Sequence, residues 1–98
     1  VLCWGAFINT ELVAFAVVFN LPEAISGRWC GLLDDLYVAP EARRKGLARN
    51  LLETIFRHGQ QENWTHLRWL VPETDAPAIA LYERVADEAP WRSFMIYY

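Results

Sequence analysis

Residues 33–48 read Leu33-Asp34-Asp35-Leu36-Tyr37-Val38-Ala39-Pro40-Glu41-Ala42-Arg43-Arg44-Lys45-Gly46-Leu47-Ala48. Leu36 and Val38 favour a strand, and Pro40 ends it because proline cannot donate to a ladder. Gly46 stands where an apolar helical period begins. The first turn of a helix has unpaired N–H groups and the positive end of the dipole. A strand, a basic turn and a helix start in succession therefore predict an anion-binding site.

The rest of the chain predicts an α+β fold around this junction. The first strands lack clean apolar/polar alternation, which indicates a mixed, mostly antiparallel sheet with helices on both faces. The apolar rows that follow Gly46 indicate an amphipathic helix laid on that sheet. The predicted order is βββαβαβ, with strands at residues 1–8, 12–19 and 28–38, a helix at 46–62, a strand at 67–71, a helix from 76 to about 86 capped by Asp75, and a strand at 93–98.

Composition limits the classes of function. The 98 residues suffice for one domain, and 54% of them are hydrophobic. Nine basic against twelve acidic residues give a net charge of −3, which argues against nucleic acid or an anionic membrane as the main partner. No apolar run approaches the roughly 18 residues of a membrane span. Cys3 and Cys30 have neither disulfide-framework nor metal-site spacing, so we expect no metal and a reduced, cytoplasmic setting.

Two motifs in this order resemble a known enzyme family. Arg43-x-x-Gly46-x-Ala48, following a strand, resembles the (Gln/Arg)-x-x-Gly-x-(Gly/Ala) signature of GNAT-type N-acetyltransferases. Residues 75–84, Asp75-Ala76-Pro77-Ala78-Ile79-Ala80-Leu81-Tyr82-Glu83-Arg84, resemble the family's Asn-x-x-Ala-x-x-Leu/Phe-Tyr-x-Lys/Arg helix. The resemblance implies an acetyltransferase that binds acetyl-CoA as co-substrate and acts by direct transfer in a ternary complex.

The resemblance also assigns the cofactor-binding residues. The pyrophosphate of acetyl-CoA is expected at the backbone and side chains of Arg43, Arg44, Lys45, Gly46, Leu47 and Ala48. The pantetheine arm is expected along the main chain of Leu36, Tyr37 and Val38, where an N–H near Tyr37 would polarise the thioester oxygen. Asp75 replaces the usual asparagine and would place a carboxylate near the pantetheine amides, unless it serves as a helix cap.

The catalytic candidates are Tyr82 and Asp34. In the matching motif a tyrosine hydroxyl protonates the coenzyme A thiolate, and a pKa near 10 suits an acid that stays protonated at neutral pH. The segment Leu33-Asp34-Asp35-Leu36-Tyr37-Val38 resembles the polyamine-acetylating branch, which implies Asp34 as the base, acting on the amine through water. Because strand neighbours point to opposite faces, only one of the two aspartates is expected to enter the cleft easily. Asp35 and Trp91 are the predicted acceptor-binding residues.

The expected acceptor is a small basic amine, because the acidic residues outside the basic turn would concentrate cations. Two alternatives remain open from sequence: a non-catalytic acyl-CoA or nucleotide-binding module, and a structural or toxin-neutralising partner protein. The family usually begins with one more strand and two helices that residues 1–98 lack. The prediction is therefore a single acetyltransferase domain, either N-terminally truncated or minimal, whose uncovered apolar sheet favours a homodimer.

Overall fold

The computed structural model describes all 98 residues. Its four strands form one sheet in the order β1-β2-β3-β4, antiparallel throughout except that β4 runs parallel to β3. The predicted α+β architecture is confirmed. The elements are β1 at Leu2–Ile8, β2 at Glu11–Glu23, β3 at Arg28–Val38, a 3₁₀ turn at Pro40–Ala42, α1 at Leu47–Gln61, β4 at Leu67–Arg68 and α2 at Ala76–Val85.

The core lies between α1 and one face of the sheet. Val18 pairs with Leu33 and Ala16 pairs with Leu36, and cross-strand partners share a face. The row formed by Ala16, Val18 and Leu33 meets Leu52 and Ile55 of α1. Ile55 is fully buried, and removing such a side chain from water contributes about 1.5–3 kcal/mol. The amphipathic pattern of α1 therefore fixes the helix over the middle of the sheet.

Trp64 packs the end of α1 against β3, and two glycines leave room for it. A Cβ on Gly31 would lie 2.5 Å from the Trp64 ring, and one on Gly59 would lie 2.7 Å from it. The indole Nε1 donates a hydrogen bond to Asn20 Oδ1 at 2.9 Å. Any larger residue at either glycine would force the ring out of this slot.

The strand predicted at residues 93–98 is wrong, because the chain from Ala86 onward forms neither helix nor strand. A strand needs a partner edge, and β4, which pairs over only Leu67–Arg68, offers almost none.

Two other strands have bounds that differ from the predicted ones. The strand predicted at 67–71 is shorter, and β2 continues through Pro22, which pairs with Trp29. β1 pairs with β2 no further than Val18, so β2 has a free edge beside the proline.

The two helices pack against the rest of the chain to different extents. No residue of α2 is buried, whereas α1 buries four. The sheet face opposite α1, which carries Phe15 and Val17, leaves four large apolar side chains exposed: Phe7, Leu12, Phe19 and Tyr37. Neither helix combines the length and the hydropathy that crossing a membrane would require.

Candidate active site

Two residues of the basic turn between β3 and α1 have a left-handed backbone conformation. Arg44 has φ 63° and Gly46 has φ 75°. A side chain at position 46 would meet no atom within 4 Å, so the conformation, rather than crowding, is what calls for glycine there. Left-handed residues in a turn can direct successive N–H groups toward a common point, the kind of concavity that binds anions.

The start of α1 leaves its N–H groups free. No side chain caps Gly46, and none of the backbone N–H groups from Arg44 to Arg49 has a hydrogen-bond partner in the chain. These donors lie at the positive end of a 15-residue helix. Four cationic residues surround them, and all are exposed: Arg43, Arg44, Lys45 and Arg49. The turn therefore fits the pyrophosphate that the sequence predicts for it.

Arg43 also has a structural contact within the turn. Its Nε donates a hydrogen bond to the carbonyl oxygen of Val38 at 3.0 Å, which ties the basic turn to the end of β3. The two terminal guanidinium nitrogens have no partner in the chain and remain available to an anion. One side chain can therefore orient the turn and contribute positive charge to it.

A β-bulge places both aspartates of β3 at the same cleft. Val18 pairs with Leu33 and Val17 pairs with Asp35, so Asp34 is the extra residue. Simple alternation would send the two carboxylates to opposite faces. The bulge breaks that alternation, and Asp34 and Asp35 both line one cavity. The cavity is bordered by both aspartates and by their neighbours Leu33 and Leu36, so the expectation that only one carboxylate enters it easily stays a prediction.

That cavity opens where β3 and β4 part. β4 pairs only with Gly31 and Leu32, and beyond this point the β4-facing edge of β3 has no strand partner. The resulting cleft has a volume of about 250 Å³. It is lined by residues 33–36 of β3, residues 69–72 after β4, and Asp75, Ala78 and Tyr82 of the α2 region. Free main-chain groups of β3 thus border a cleft that also holds the predicted acid and base.

Tyr82 is half-buried in this cleft, with its ring edge-on to Trp69 at a centroid distance of 5.3 Å. Burial, and after it the negative charge of Asp75, raises the pKa of the Tyr82 phenol above its usual value of 10.0. A raised pKa keeps the hydroxyl protonated over the whole neutral range. The environment of Tyr82 therefore suits a proton donor.

Asp75 caps α2, as the sequence suggested it could. Its Oδ1 accepts a hydrogen bond from the backbone N–H of Ala78 at 3.2 Å.

Trp91 lies outside this cleft: it is exposed and borders a neighbouring hollow with Arg68 and Arg92. Sequence reasoning missed Trp69, whose ring contacts Tyr82. Its position in the apolar segment after β4 carried no signal of contact with Tyr82.

The comparisons with known proteins agree with this geometry. The model of the acetyltransferase (GNAT) family matches residues 1–86. A thialysine N-epsilon-acetyltransferase from Caenorhabditis elegans is 38% identical over 80 residues, covering 82% of this chain and 49% of that protein. The chain thus spans about half the length of this curated relative.

Solved structures show the same fold. A ribosomal-protein-alanine N-acetyltransferase from Brucella melitensis biovar Abortus 2308 superposes with a TM-score of 0.90 at 30% identity, over 98% of this chain and 72% of that one. An aminoglycoside N-acetyltransferase in complex with CoA superposes with a TM-score of 0.84 at 15% identity, over 98% and 74% of the two chains. At that identity the second structure supports the fold alone.

Proposed function

The chain belongs to the GNAT family of acetyltransferases, and we propose that it transfers an acetyl group from acetyl-CoA directly to a primary amine of a small basic acceptor. The observation that carries the proposal is one arrangement of three parts. An anion site at the start of α1, an unpaired edge of β3 and a cleft holding Tyr82 with two aspartates follow one another along a single path.

Each part has a place in binding acetyl-CoA. The free N–H groups of the basic turn and its four cations would hold the pyrophosphate. The main-chain groups of Leu36, Tyr37 and Val38 that are not already bonded within the chain would bind the pantetheine amides along the edge of β3; the Val38 carbonyl is not one of them, since it accepts from Arg43 Nε. This path leads the acyl end of the cofactor toward the cleft, where Tyr82 and Asp34 lie.

The chemistry requires a protonated amine to lose two protons, one before it attacks and one as the amide forms, and the departing sulfur to gain one. Asp34, exposed at the cleft, would accept the first amine proton through a bridging water. The neutral nitrogen then attacks the thioester carbon, the carbon–sulfur bond breaks, Tyr82 donates its proton to the coenzyme A thiolate, and the nitrogen releases its second proton to water. Bulk water can return a proton to Tyr82, because the ring is only half-buried.

The charge of the cleft favours a cationic acceptor. Asp34, Asp35 and Asp75 line it, and no basic side chain does. The acceptor is thus a polyamine, a diamine or a lysine-like amine. The name of the 38% identical relative, which specifies the ε-amine of thialysine, is consistent with this class.

The test is acetyl-CoA binding together with turnover. Isothermal titration with acetyl-CoA separates the proposal from a structural or partner-binding role, which predicts no heat of binding. Release of free thiol with spermidine, cadaverine, lysine and a neutral amine then separates it from a non-catalytic acyl-CoA-binding module. Thiol release with the cationic amines alone supports the proposal, and binding without turnover on any amine overturns it.

Asp34→Asn should lower kcat/KM for a cationic amine about tenfold, because one charge-assisted contact contributes about 1.5–3 kcal/mol and this carboxylate is exposed. The substrate amine loses a proton before it attacks, so the wild-type rate should rise from neutral to alkaline pH. A pH profile of kcat/KM checks this. Glu11→Gln, an exposed carboxylate of β2 away from the cleft, is the matched control. If the profile of Asp34→Asn overlays that of the control, Asp34 only solvates the surface.

The uncovered sheet face supports a second expectation, that the chain forms a homodimer. Phe7, Phe19 and Tyr37 are exposed on the face opposite α1, and a contiguous apolar face of this kind is seldom left in water. Light scattering at micromolar concentration should give twice the mass of the chain. Phe19→Asp should lower the measured mass toward that of one chain. A monomeric mass for the unaltered protein would contradict the expectation.

The free cysteines fit a reducing, cytoplasmic setting for the enzyme. Cys3 is exposed and Cys30 is buried, and neither is paired. An exposed free thiol persists most readily where thiols are kept reduced.

A further inference from the structure

Asp75 and Tyr82 lie on the same helix and line the same cleft. We propose that Asp75 is a positioning residue that acts through Tyr82: fixed at the cap of α2, its carboxylate sets a negative charge in the cleft that the phenol borders, and so helps Tyr82 to keep the proton that it later donates. The kinetic part of this inference rests on the proposed function, in which Tyr82 is the acid. The electrostatic part does not.

The helix brings the two groups onto one face. Tyr82 follows Asp75 by seven residues, which is two helical turns, and Ala78, one turn after Asp75, lines the cleft with them. Side chains on a helix lean toward its N-terminus, so the phenol leans back toward the cap. The carboxylate is held in place because Oδ1 accepts the Ala78 N–H at 3.2 Å. The capped carboxylate and the phenol thus border the same cleft, two helical turns apart.

The other groups that face Tyr82 do not oppose this effect. From β3, the cleft is lined by Asp34 and Asp35, both exposed. From the segment after β4 it is lined by residues 69–72, Trp69-Leu70-Val71-Pro72, none of which titrates. No cation lines the cleft. Burial first and the Asp75 charge second raise the pKa of Tyr82. A phenolate here would meet a negative charge and little water, which disfavours losing the proton.

Asparagine at position 75 would cap the helix equally well, so capping alone does not account for the negative charge of Asp75. Asparagine and aspartate are both strong N-caps, and the two differ mainly in charge. The sequence resemblance assigns position 75 to the pantetheine amides. Its Oδ1 accepts the hydrogen bond that caps α2, and after burial the negative charge of Asp75 is the second cause that raises the pKa of Tyr82.

Asp75→Asn tests the inference by ultraviolet titration of tyrosinate, which requires no turnover. The chain has four tyrosines, at positions 37, 82, 97 and 98. The Tyr82 signal is therefore obtained as the difference between each protein and the same protein carrying Tyr82→Phe. The Tyr82 midpoint in Asp75→Asn should shift to lower pH. Added salt should narrow the gap between wild type and variant, because screening weakens a charge effect. An unchanged midpoint overturns the inference.

Kinetics supplies the second readout. A proton donor is lost as pH rises through its pKa, so a raised pKa moves the alkaline fall of kcat upward. Asp75→Asn should move that fall to lower pH without raising the KM for acetyl-CoA. If Asp75→Asn instead raises the KM for acetyl-CoA and leaves the alkaline fall of kcat at the same pH, Asp75 acts in cofactor binding and the inference is overturned. If no amine is acetylated at all, the proposed function fails, and the tyrosinate titration still decides whether Asp75 acts on Tyr82.

Discussion

Tyr82→Phe should lower kcat by roughly 10²–10⁴-fold, the usual contribution of a positioned general acid or base. The variant removes only the hydroxyl. The ring can keep its edge-on contact with Trp69, 5.3 Å away, so α2 should stay in place. Without the phenol, the coenzyme A thiolate must leave unprotonated or take its proton from water. Steady-state thiol release at saturating amine measures the effect, and the dissociation constant for acetyl-CoA should change little.

A matched variant separates chemistry from folding. Tyr97→Phe makes the same change on an exposed residue outside the cleft and should behave as wild type. Thermal unfolding of both variants checks the fold. If Tyr82→Phe retains near-normal kcat while its melting temperature falls, Tyr82 is a packing residue and the proposed acid is wrong.

Arg43→Ala should raise the dissociation constant for acetyl-CoA by tenfold or more. One charge-assisted contact contributes about 1.5–3 kcal/mol, and each 1.4 kcal/mol is a factor of ten. The residue also fixes the turn, because its Nε donates to the Val38 carbonyl at 3.0 Å, so removing it both loosens the N–H cradle and subtracts a charge. Isothermal titration calorimetry measures the change.

The control for charge alone is Arg57→Ala. Arg57 lies further along α1, is exposed, and pairs with Glu53 at 2.7 Å, so its loss subtracts the same formal charge away from the turn. We expect its affinity for acetyl-CoA to remain near that of the wild type. Equal weakening in the two variants would mean that net charge, and not the turn, governs binding.

The sequence was a good guide wherever local chemistry sets the structure. β3 begins and ends at the predicted residues, Arg28–Val38, because Pro40 stops it. α1 begins after Gly46 because that residue alone there tolerates a positive φ without strain. α2 begins after Asp75 because the carboxylate caps it. Each of these signals acts within a few residues of the boundary that it sets.

The errors arose where structure depends on distant partners. The strand predicted at residues 93–98 has suitable residues but lacks an edge to pair with. The bulge at Asp34 follows from the register with Val17 and Val18, which the segment itself does not encode. For that reason the sequence identified the aspartates of the site but not the bulge that interrupts their alternation. The contact of Trp69 with Tyr82 likewise depends on where β4 ends.

The most direct test of the account is mass-spectrometric detection of the acetylated amine after incubation of the protein with acetyl-CoA and spermidine or lysine. The proposed function predicts a product one acetyl group heavier, formed together with one free thiol and reduced at least a hundredfold by Tyr82→Phe. A protein that binds acetyl-CoA yet yields no acetylated amine above the level of Tyr82→Phe would contradict it.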